Sequence, residues 1–442
     1  MNFDEALSYL LSLGHETLAM KLGLTNTELL LEKLGNPQRT YPAVQIAGTN
    51  GKGSTAVMLD SICRAAGLRT GLFTSPHLVR ITERAKIGGQ EVSQSDFARW
   101  ALTVREAVGQ LLDNGSLAAP PTFFEQVTAI ALLAFAEAKV DLAILETGLG
   151  GRLDSTTVAG AETIAITPIA LDHQEYLGET LAQIAAEKAA IIRPGVQAVV
   201  APQPAAVRAV IFKRCQDCGV TPQIDDWAAT IVGATDDGRF RVVFETDRDR
   251  YDEVTLGLRG RHQILNAGVA IRLAESLLEG GFQIPRAIIQ GLAEAKHAGR
   301  LELRSETPAL LFDGAHNPSG AQALRDYLDE FVKIPVTMVF GAMGDKDLKS
   351  MAAILFPAAE HLILTQPDTS RAASPALLKS MTVGLDSSRI SVTRNIEEAL
   401  RQASRVTQAD EMTCVTGSLY LVGEALSIFD QSASSLGGGG LL

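Results

Sequence analysis

Short apolar runs alternate along this chain with longer segments in which hydrophobic residues recur every three or four positions. Runs of this length are typical of buried strands, and the longer segments are typical of amphipathic helices. The alternation predicts an α/β fold in which helices cover both faces of a mostly parallel sheet. The turns after these strands are polar or contain glycine, and open α/β sheets bind ligands at such turns. The clearest early strands are expected at residues 43–47, 70–74, 142–146 and 163–167.

The hydrophobic pattern changes twice further along the chain. Between about residues 225 and 258 polar and apolar residues alternate, which predicts antiparallel hairpins attached to the first part, followed by a helix at 263–279. After residues 296–300 a second series of strands and helices begins. Its strands are expected at 309–312, 336–340, 362–364 and 412–415, with a helix at 317–331.

The length of 442 residues favours two domains, because it exceeds the usual size of one hydrophobic core. We expect a first domain at 1–298, a smaller Rossmann-like α/β domain at 299–430 and a flexible tail at 431–442. The boundary follows from the break in pattern near residue 298.

The composition argues against several classes of function. A formal net charge of −12 disfavours broad nucleic-acid binding, which usually needs a basic face. The acidic amino terminus lacks the pattern of a secretion signal, and no apolar run approaches the length of a membrane span. The four cysteines are expected to be reduced, including Cys215 and Cys218, whose CxxC spacing has no second pair to complete a metal site. We expect a cytoplasmic protein with no nucleic-acid or membrane partner.

The turn at residues 48–54, with the sequence GTNGKGS, is the strongest chemical signal in the chain. A strand is expected before it and an alanine-rich helix at 54–66 after it, so backbone amides and a helix amino terminus can face one anion. Lys52 adds a mobile positive charge, although the strict GxxxxGK[ST] pattern is broken because Gly53 follows the lysine. The turn predicts phosphate binding and a P-loop ATPase-like first domain. By itself it suits a kinase, a GTPase or a motor equally well.

Further motifs follow the turn in order. They are SPHL at 75–78, ETGLGGRLD at 146–154, LDH at 171–173, EKAA at 187–190 and FDGAHNP at 312–318. Together they resemble the motifs of the folylpolyglutamate synthase and dihydrofolate synthase family, a branch of the Mur ligase superfamily, and the resemblance runs from near residue 5 to near residue 425. It implies an ATP-dependent acid–amino-acid ligase that joins L-glutamate to dihydropteroate or to folate (poly)glutamates through an acyl phosphate. A bifunctional enzyme is our first expectation, and a monofunctional folylpolyglutamate synthase is the alternative.

The resemblance assigns the phosphate turn and three later residues to ATP. Lys52 is expected at the β- and γ-phosphates, where positioning and charge neutralisation drive phosphoryl transfer. Arg300 lies at the expected hinge, so its guanidinium would reach phosphate only when the domains close. An interdomain salt bridge is its alternative role. The expected ATP contacts are Thr49, Asn50, Gly51, Lys52, Gly53, Ser54, Asn266, Arg300 and Asp313.

The resemblance also implies Mg²⁺ at two sites and leaves open a monovalent cation. The expected ligands are Ser75, Glu146 and His173, each at the carboxyl end of a predicted strand or in the loop after it. Their ordinary alternatives are a turn hydroxyl, a solvated strand end and a hydrogen-bonded loop histidine. The lysine that matches Lys188 is carbamylated in the family, because a buried neutral amine can capture carbon dioxide. A plain surface lysine beside Glu187 is the alternative.

Substrate recognition is assigned from the remaining motifs. His316 is expected to contact glutamate or an acyl-phosphate oxygen, and otherwise to cap the next helix; with Lys52 and Lys188 it completes the catalytic candidates. The segment at 19–22 matches the family's amino-terminal substrate motif only loosely. Aromatic rings can stack on a flat pterin, and charged groups can hydrogen-bond its edge. For Phe123 and Phe124 the alternative is a core position at the start of a helix that runs through Phe135. The expected substrate contacts are Thr122, Phe123, Phe124, Glu125, Arg152, Leu153 and Asp154.

Three other functions compete with this interpretation. A peptidoglycan-precursor ligase would share the phosphate turn but add an amino-terminal domain for a uridine nucleotide, and a turn at residue 48 leaves no space for it. A kinase or GTPase would need its own acceptor or guanine motif, such as NKxD, and the sequence contains none. A non-enzymatic ATP-binding module would not need metal ligands at several strand ends. The expected partners are therefore ATP, glutamate and a dihydropteroate or folate acceptor, bound by a monomer.

Overall fold

The computed structural model describes residues 1–14, 23–278, 284–304 and 306–435, with side chains up to residue 431. The loosely matched segment at 19–22, the expected helix end at 279 and most of the expected tail lie outside these residues.

An eight-stranded sheet organises the first part of the chain. Its strands are β1 (Ala43–Ala47), β2 (Thr70–Phe73), β3 (Ala85–Ile87), β4 (Gln90–Glu91), β5 (Leu142–Glu146), β6 (Thr163–Ile166), β7 (Gln197–Val200) and β8 (Gln223–Ile224). The order is β4-β3-β2-β5-β1-β6-β7-β8, and every pair from β2 to β8 is parallel. The prediction of a mostly parallel sheet is confirmed. β1 and β5 have the expected bounds, and β2 and β6 each end one residue earlier.

Helices cover both faces of this sheet because its central strands are apolar on both sides. The helices of this part are α1 (Phe3–Ser12), α2 (Thr25–Lys33), α3 (Lys52–Ala65), α4 (Gln94–Asp113), α5 (Phe123–Glu137), α6 (Gln174–Leu177), α7 (Leu181–Ala189), α8 (Ala205–Cys218), α9 (His262–Leu277) and α10 (Ile284–Glu294). Along β5, Leu142 and Ile144 face a core shared with α3, α9 and α10. Ala143 and Leu145 face the opposite core, shared with α1, α4, α5, α7 and α8. A strand buried on both faces therefore reads as one continuous apolar run.

The alternating segment forms a three-stranded antiparallel sheet, as predicted. Its strands are β9 (Trp227–Ala234), β10 (Phe240–Thr246) and β11 (Arg250–Thr255), in the order β11-β10-β9. Phe240, Val242 and Phe244 of β10 are buried in the same core as α9. Every second residue of a strand points to one face, so the alternation places this sheet on the first part of the molecule.

A six-stranded sheet organises the chain after residue 301. Its strands are β12 (Glu302–Arg304), β13 (Ala309–Asp313), β14 (Val336–Phe340), β15 (His361–Leu364), β16 (Ile390–Val392) and β17 (Met412–Thr416). The order is β12-β13-β17-β14-β15-β16, with β12 antiparallel to β13 and the other neighbours parallel. Its helices are α11 (Pro318–Phe331), α12 (Leu348–Leu355), α13 (Pro375–Lys379), α14 (Ile396–Val406) and α15 (Leu419–Ser435).

The expected start of the tail at residue 431 is wrong, because α15 continues to Ser435. Phe429 packs against Phe312 with ring centroids 5.7 Å apart, which holds the last part of this helix on the sheet.

The central strands of both sheets end at one cavity. β2, β5, β1 and β6 are neighbours in the first sheet, and β13, β17 and β14 are neighbours in the second. Parallel strands end at the same edge of a sheet, so the turns that follow them gather there. In the part of the chain that the structure describes, short 3-10 helices lie at Pro37–Arg39, Ile81–Arg84, Ser155–Ala159, Phe356–Ala358 and Ser387–Arg389.

The structure bears on the expectations of reduced cysteines and of no membrane span. All four cysteines are free, and Cys63, Cys215 and Cys414 are buried. Within the described ranges, no helix combines the length and the apolar character needed to cross a membrane.

Candidate functional site

One cavity of about 610 Å³ collects nearly all of the residues singled out in the sequence. It is lined by turns from the carboxyl ends of both large sheets, so residues far apart in the chain face each other across it. The sequence-predicted residues that line it are Thr49, Asn50, Gly51, Lys52, Gly53, Ser54, Ser75, Thr122, Phe124, Glu125, Glu146, Arg152, Leu153, Asp154, His173, Lys188, Asn266, Arg300, Asp313 and His316.

Phe123 is the exception, and its expected contact with substrate is wrong. It begins α5, is 4% exposed and belongs to the core beneath the sheet, with the Arg84 guanidinium 5.4 Å from its ring centroid. Phe124 lines the cavity and lies 6.0 Å from the ring of Phe73. The alternative of a core position therefore holds for the first phenylalanine, because successive helix residues point about 100° apart.

The phosphate turn is shaped by close contacts that glycine alone permits. Gly51 precedes α3 with φ 87°, and a Cβ there would lie 2.2 Å from Asn266 Oδ1. The amides of Thr49 and Asn50 donate to the Pro168 carbonyl at 3.0 and 3.1 Å. The amino terminus of α3 consequently faces the cavity, an arrangement that favours an anion.

The hydroxyl of Ser54 has partners that the sequence did not indicate. Its Oγ is hydrogen-bonded to His297 Nδ1 at 3.2 Å and accepts from Gln263 Nε2 at 3.4 Å. Gln263 Oε1 in turn accepts from Asn266 Nδ2 at 2.8 Å. Burial, assisted by the charge of Arg300, lowers the pKa of His297 to about 3, so this imidazole is neutral. The segment at 296–300, which lies between the two large sheets in sequence, is thereby joined to the phosphate turn through His297.

Two of the expected metal ligands are in direct contact. Glu146 Oε2 accepts a hydrogen bond from the Ser75 amide at 3.1 Å. Burial raises the pKa of Glu146, with the charge of Lys52 acting in the opposite direction. A nearby cation stabilises a buried carboxylate of this kind. The burial of Glu146 therefore argues against its alternative role as a solvated strand end.

His173, the third expected metal ligand, lines the same cavity. Burial lowers its pKa to about 3, which leaves a neutral imidazole able to donate a lone pair. Among the residues described, no three His, Cys, Asp or Glu side chains form a cluster suited to a metal ion. A divalent cation here would need the Ser75 hydroxyl together with ligand or water oxygens, and hard cations such as Mg²⁺ accept that donor set.

Lys188 is buried, so the alternative of a plain surface lysine is wrong. Its side chain is 4% exposed, and Nζ donates to the Gly48 carbonyl at 2.7 Å. Burial, with the nearby charge of Lys52, lowers the pKa of Lys188 to about 7. Glu187 instead pairs with Arg152 at 3.0 Å at the edge of the cavity. A lysine with this pKa has a substantial neutral fraction near neutrality.

Two of the expected substrate carboxylates also build the wall that carries them. Asp154 accepts from the amides of Leu149 and Thr156 at 2.9 and 3.0 Å. Glu125 accepts from the Thr122 amide at 2.6 Å and completes the capping box of α5. These bonds fix the loops on either side of Phe124, which lines the cavity.

The opposite wall comes from the turn after β13. Asp313 accepts from the amides of Leu301 and Ala315 at 2.9 and 3.0 Å, and Arg300 Nη1 donates to the Gly314 carbonyl at 3.3 Å. Asn317 caps α11, so the alternative of a capping role for His316 is wrong.

Three charged residues of the cavity, Asp172, Lys346 and Arg371, were missed by sequence reasoning. Lys346 Nζ lies 2.6 Å from Asp172 Oδ1, and Arg371 pairs with Asp345 at 3.0 Å. The rule that ligands bind after carboxyl ends of parallel strands could have found Lys346, because it follows β14 in the stretch GAMGDKD at 341–347.

Comparison with known proteins identifies both parts of the chain. Residues 46–274 match the Mur ligase middle domain, and residues 299–419 match the Mur ligase glutamate ligase domain. The dihydrofolate synthase/folylpolyglutamate synthase of Bacillus subtilis is 32% identical over 416 residues, covering 93% of this chain and 96% of that protein. The probable bifunctional folylpolyglutamate synthase/dihydropteroate synthase of Halobacterium salinarum is 38% identical over 96% of this chain, which spans about half (51%) of that relative's length.

Solved structures of folylpolyglutamate synthases and dihydrofolate synthases are similar to this chain along nearly its whole length. E. coli FolC in complex with DHPP and ADP has a TM-score of 0.86 and 30% identity, covering 98% of each chain. A bifunctional folylpolyglutamate synthase/dihydrofolate synthase with Mn, AMPPNP and L-glutamate bound has a TM-score of 0.84 and 30% identity, covering 97% of this chain and 98% of that one.

Proposed function

This chain belongs to the folylpolyglutamate synthase and dihydrofolate synthase family of Mur ligases, and on that basis we propose that it is an ATP-dependent ligase that joins L-glutamate to dihydropteroate and to folate (poly)glutamates. One observation carries the proposal. The phosphate turn, the buried Lys188 and a cationic wall containing Lys346 and Arg371 line the same cavity. That set can hold a phosphoryl donor, a carboxylate acceptor and an acidic amino acid together.

ATP would occupy the end of the cavity formed by the phosphate turn. The amino terminus of α3 and Lys52 neutralise the phosphates, with Asn266 beside the turn and Arg300 reaching in from the opposite wall. Relatives with ADP or AMPPNP bound support a nucleotide here.

Ser75, Glu146 and His173 would hold Mg²⁺ at this end, and a relative with manganese bound supports a divalent cation. When bound, the cation supplies neutralisation of the phosphoryl oxygens. The two-site arrangement and a monovalent cation remain proposals carried over from the family resemblance. Glu146 and the neutral imidazole of His173 provide the anionic and lone-pair donors that such a site needs.

Lys188 would act as a carbamate. Its neutral amine adds to carbon dioxide, a nitrogen–carbon bond forms, and the nitrogen loses a proton to solvent. The product is a carbamate anion on the same buried side chain. In the unmodified lysine, the amine nitrogen donates to the Gly48 carbonyl of the phosphate turn at 2.7 Å. The change converts a donor into an oxygen ligand beside the phosphates.

The acceptor would lie with its pterin against Phe124, between the loops that carry Thr122 and Arg152 to Asp154. Its carboxylate oxygen attacks the γ-phosphorus of ATP, ADP departs, and an acyl phosphate forms. The glutamate amine then attacks the acyl carbon and phosphate leaves. Lys346 and Arg371 supply the positive wall that faces the carboxylates of glutamate, and His316 lines the cavity beside them.

We further place this activity in a monomer of two domains, 1–298 and 299–430, working in the cytoplasm. Four free thiols support a reducing compartment.

Phosphate release should depend on both acceptors of the reaction. With dihydropteroate and ATP, we expect release that requires glutamate, and we expect the same with tetrahydrofolate because relatives named for both activities cover nearly the whole chain. Activity with tetrahydrofolate alone would favour the monofunctional alternative. Release that is independent of glutamate and of either acceptor would refute the ligase.

A further inference from the structure

Asp172 joins the first part of the molecule to the cavity wall that carries Lys346, His316 and Asn317. Its side chain is 6% exposed, and Oδ1 lies 2.6 Å from Lys346 Nζ, which is itself 8% exposed. Oδ2 lies 3.5 Å from His316 Nε2 and accepts from Asn317 Nδ2 at 3.2 Å. Three partners from the second sheet thus converge on one carboxylate that follows β6 of the first.

From this convergence we infer that Asp172 is a positioning residue for the acidic amino-acid substrate. It acts through Lys346, with which it makes its shortest contact, and touches no reacting atom. The inference rests on the proposed function and adds the group that arranges the amino-acid-binding wall.

The electrostatics of the cavity require such a group. Lys346 lines it with a side chain that is 8% exposed, and Arg371 lies on the same wall, so positive charges face the cavity where water screens the Lys346 ammonium poorly. Without Asp172 their mutual repulsion favours separation. With it, one donor of the Lys346 ammonium is held, and the remaining two stay available to a substrate carboxylate.

Geometry also explains why this contact would act on the amino acid more than on ATP. Asn317 donates to Asp172 and also to Asn50 Oδ1 of the phosphate turn, at 3.0 Å, so the turn keeps a separate link to the second sheet. Lys346 has its bond to Asp172 at 2.6 Å. Loss of the carboxylate therefore frees Lys346 while leaving the Asn50 contact in place.

The test is the Asp172→Asn variant assayed by glutamate-dependent phosphate release. We expect the KM for glutamate to rise at least about tenfold, while kcat at saturating glutamate and the KM for ATP change less than about threefold. Asp60→Asn is the matched control, because Asp60 is a buried aspartate paired with Arg64 at 2.8 Å on α3, outside the cavity. It should leave the KM for glutamate unchanged.

A double-mutant cycle with Lys346→Met separates positioning from a general structural effect. In the Lys346→Met background, Asp172→Asn should raise the KM for glutamate less than about twofold further, since the residue it acts through is gone. This pair also remains informative if Asp172→Asn alone fails to fold, because the double variant removes the uncompensated charge. Independent, multiplicative effects, or an unchanged KM for glutamate in Asp172→Asn, would overturn the inference. A parent enzyme with no glutamate-dependent turnover would overturn the proposed function and this inference together.

Discussion

Replacement of Lys52 with alanine is expected to lower kcat by about 1,000-fold or more, because transferring a phosphoryl group depends on fixed positive charge at its oxygens. Lys52 begins α3 and lines the cavity, and its amine donates to the Thr49 carbonyl at 3.2 Å. The chain therefore holds this charge beside the phosphate turn before ATP arrives.

The same substitution should leave the fold intact. Lys52 is half-buried and lies outside the hydrophobic cores, so we expect the thermal midpoint to stay within about 2 °C of the parent. Lys213→Ala is the control, because Lys213 is 76% exposed on α8 and pairs with Asp217 away from the cavity. Normal turnover in a folded Lys52→Ala protein would contradict the phosphate assignment.

Replacement of Lys188 with methionine is expected to lower kcat by about 100-fold, because it removes the nitrogen that would carry the carbamate while keeping an unbranched side chain of similar length. With ¹³C-labelled bicarbonate, the parent should show a carbamate carbon resonance that the variant lacks. Full activity in the variant would contradict the assignment, and so would an active parent with no such resonance.

Lys188 also gives a pH dependence of stability with a definite sign. Burial lowers its pKa from 10.5 to about 7. Between these values the unfolded chain binds a proton that the native chain does not, so the free energy of unfolding from this group rises with pH across the window. Below about pH 7 both states are protonated and its contribution is constant. Chemical denaturation of Lys188→Met between pH 7 and 10, in buffer freed of carbon dioxide so that Lys188 of the parent stays an amine, should show a shallower rise than the parent.

Local pattern was sufficient for most of the fold. β1 and β5 are mostly apolar, buried along their whole length and bounded by turns, so their ends could be read from the sequence. The phosphate turn was recognisable because its three glycines and Lys52 all fall within residues 48–53. α15 extends to Ser435, past the expected start of the tail at residue 431.

The site was predictable as a set of residues and less so as a set of contacts. Phe123 and Phe124 are adjacent and chemically alike, and only the direction of the first turn of α5 separates core from cavity. The bond between Ser54 and His297 spans 243 positions, and that between Asp172 and Lys346 spans 174. Such contacts depend on how the two sheets meet, which hydrophobic periodicity does not encode.

Transfer of oxygen-18 from the acceptor carboxylate tests the central claim most directly. Dihydropteroate labelled in both carboxylate oxygens would be incubated with the enzyme, ATP and glutamate, and the released phosphate would be analysed by mass spectrometry. An acyl phosphate intermediate predicts one labelled oxygen in the phosphate for every amide formed. Amide formation accompanied by unlabelled phosphate would contradict activation of the carboxylate by ATP in this cavity.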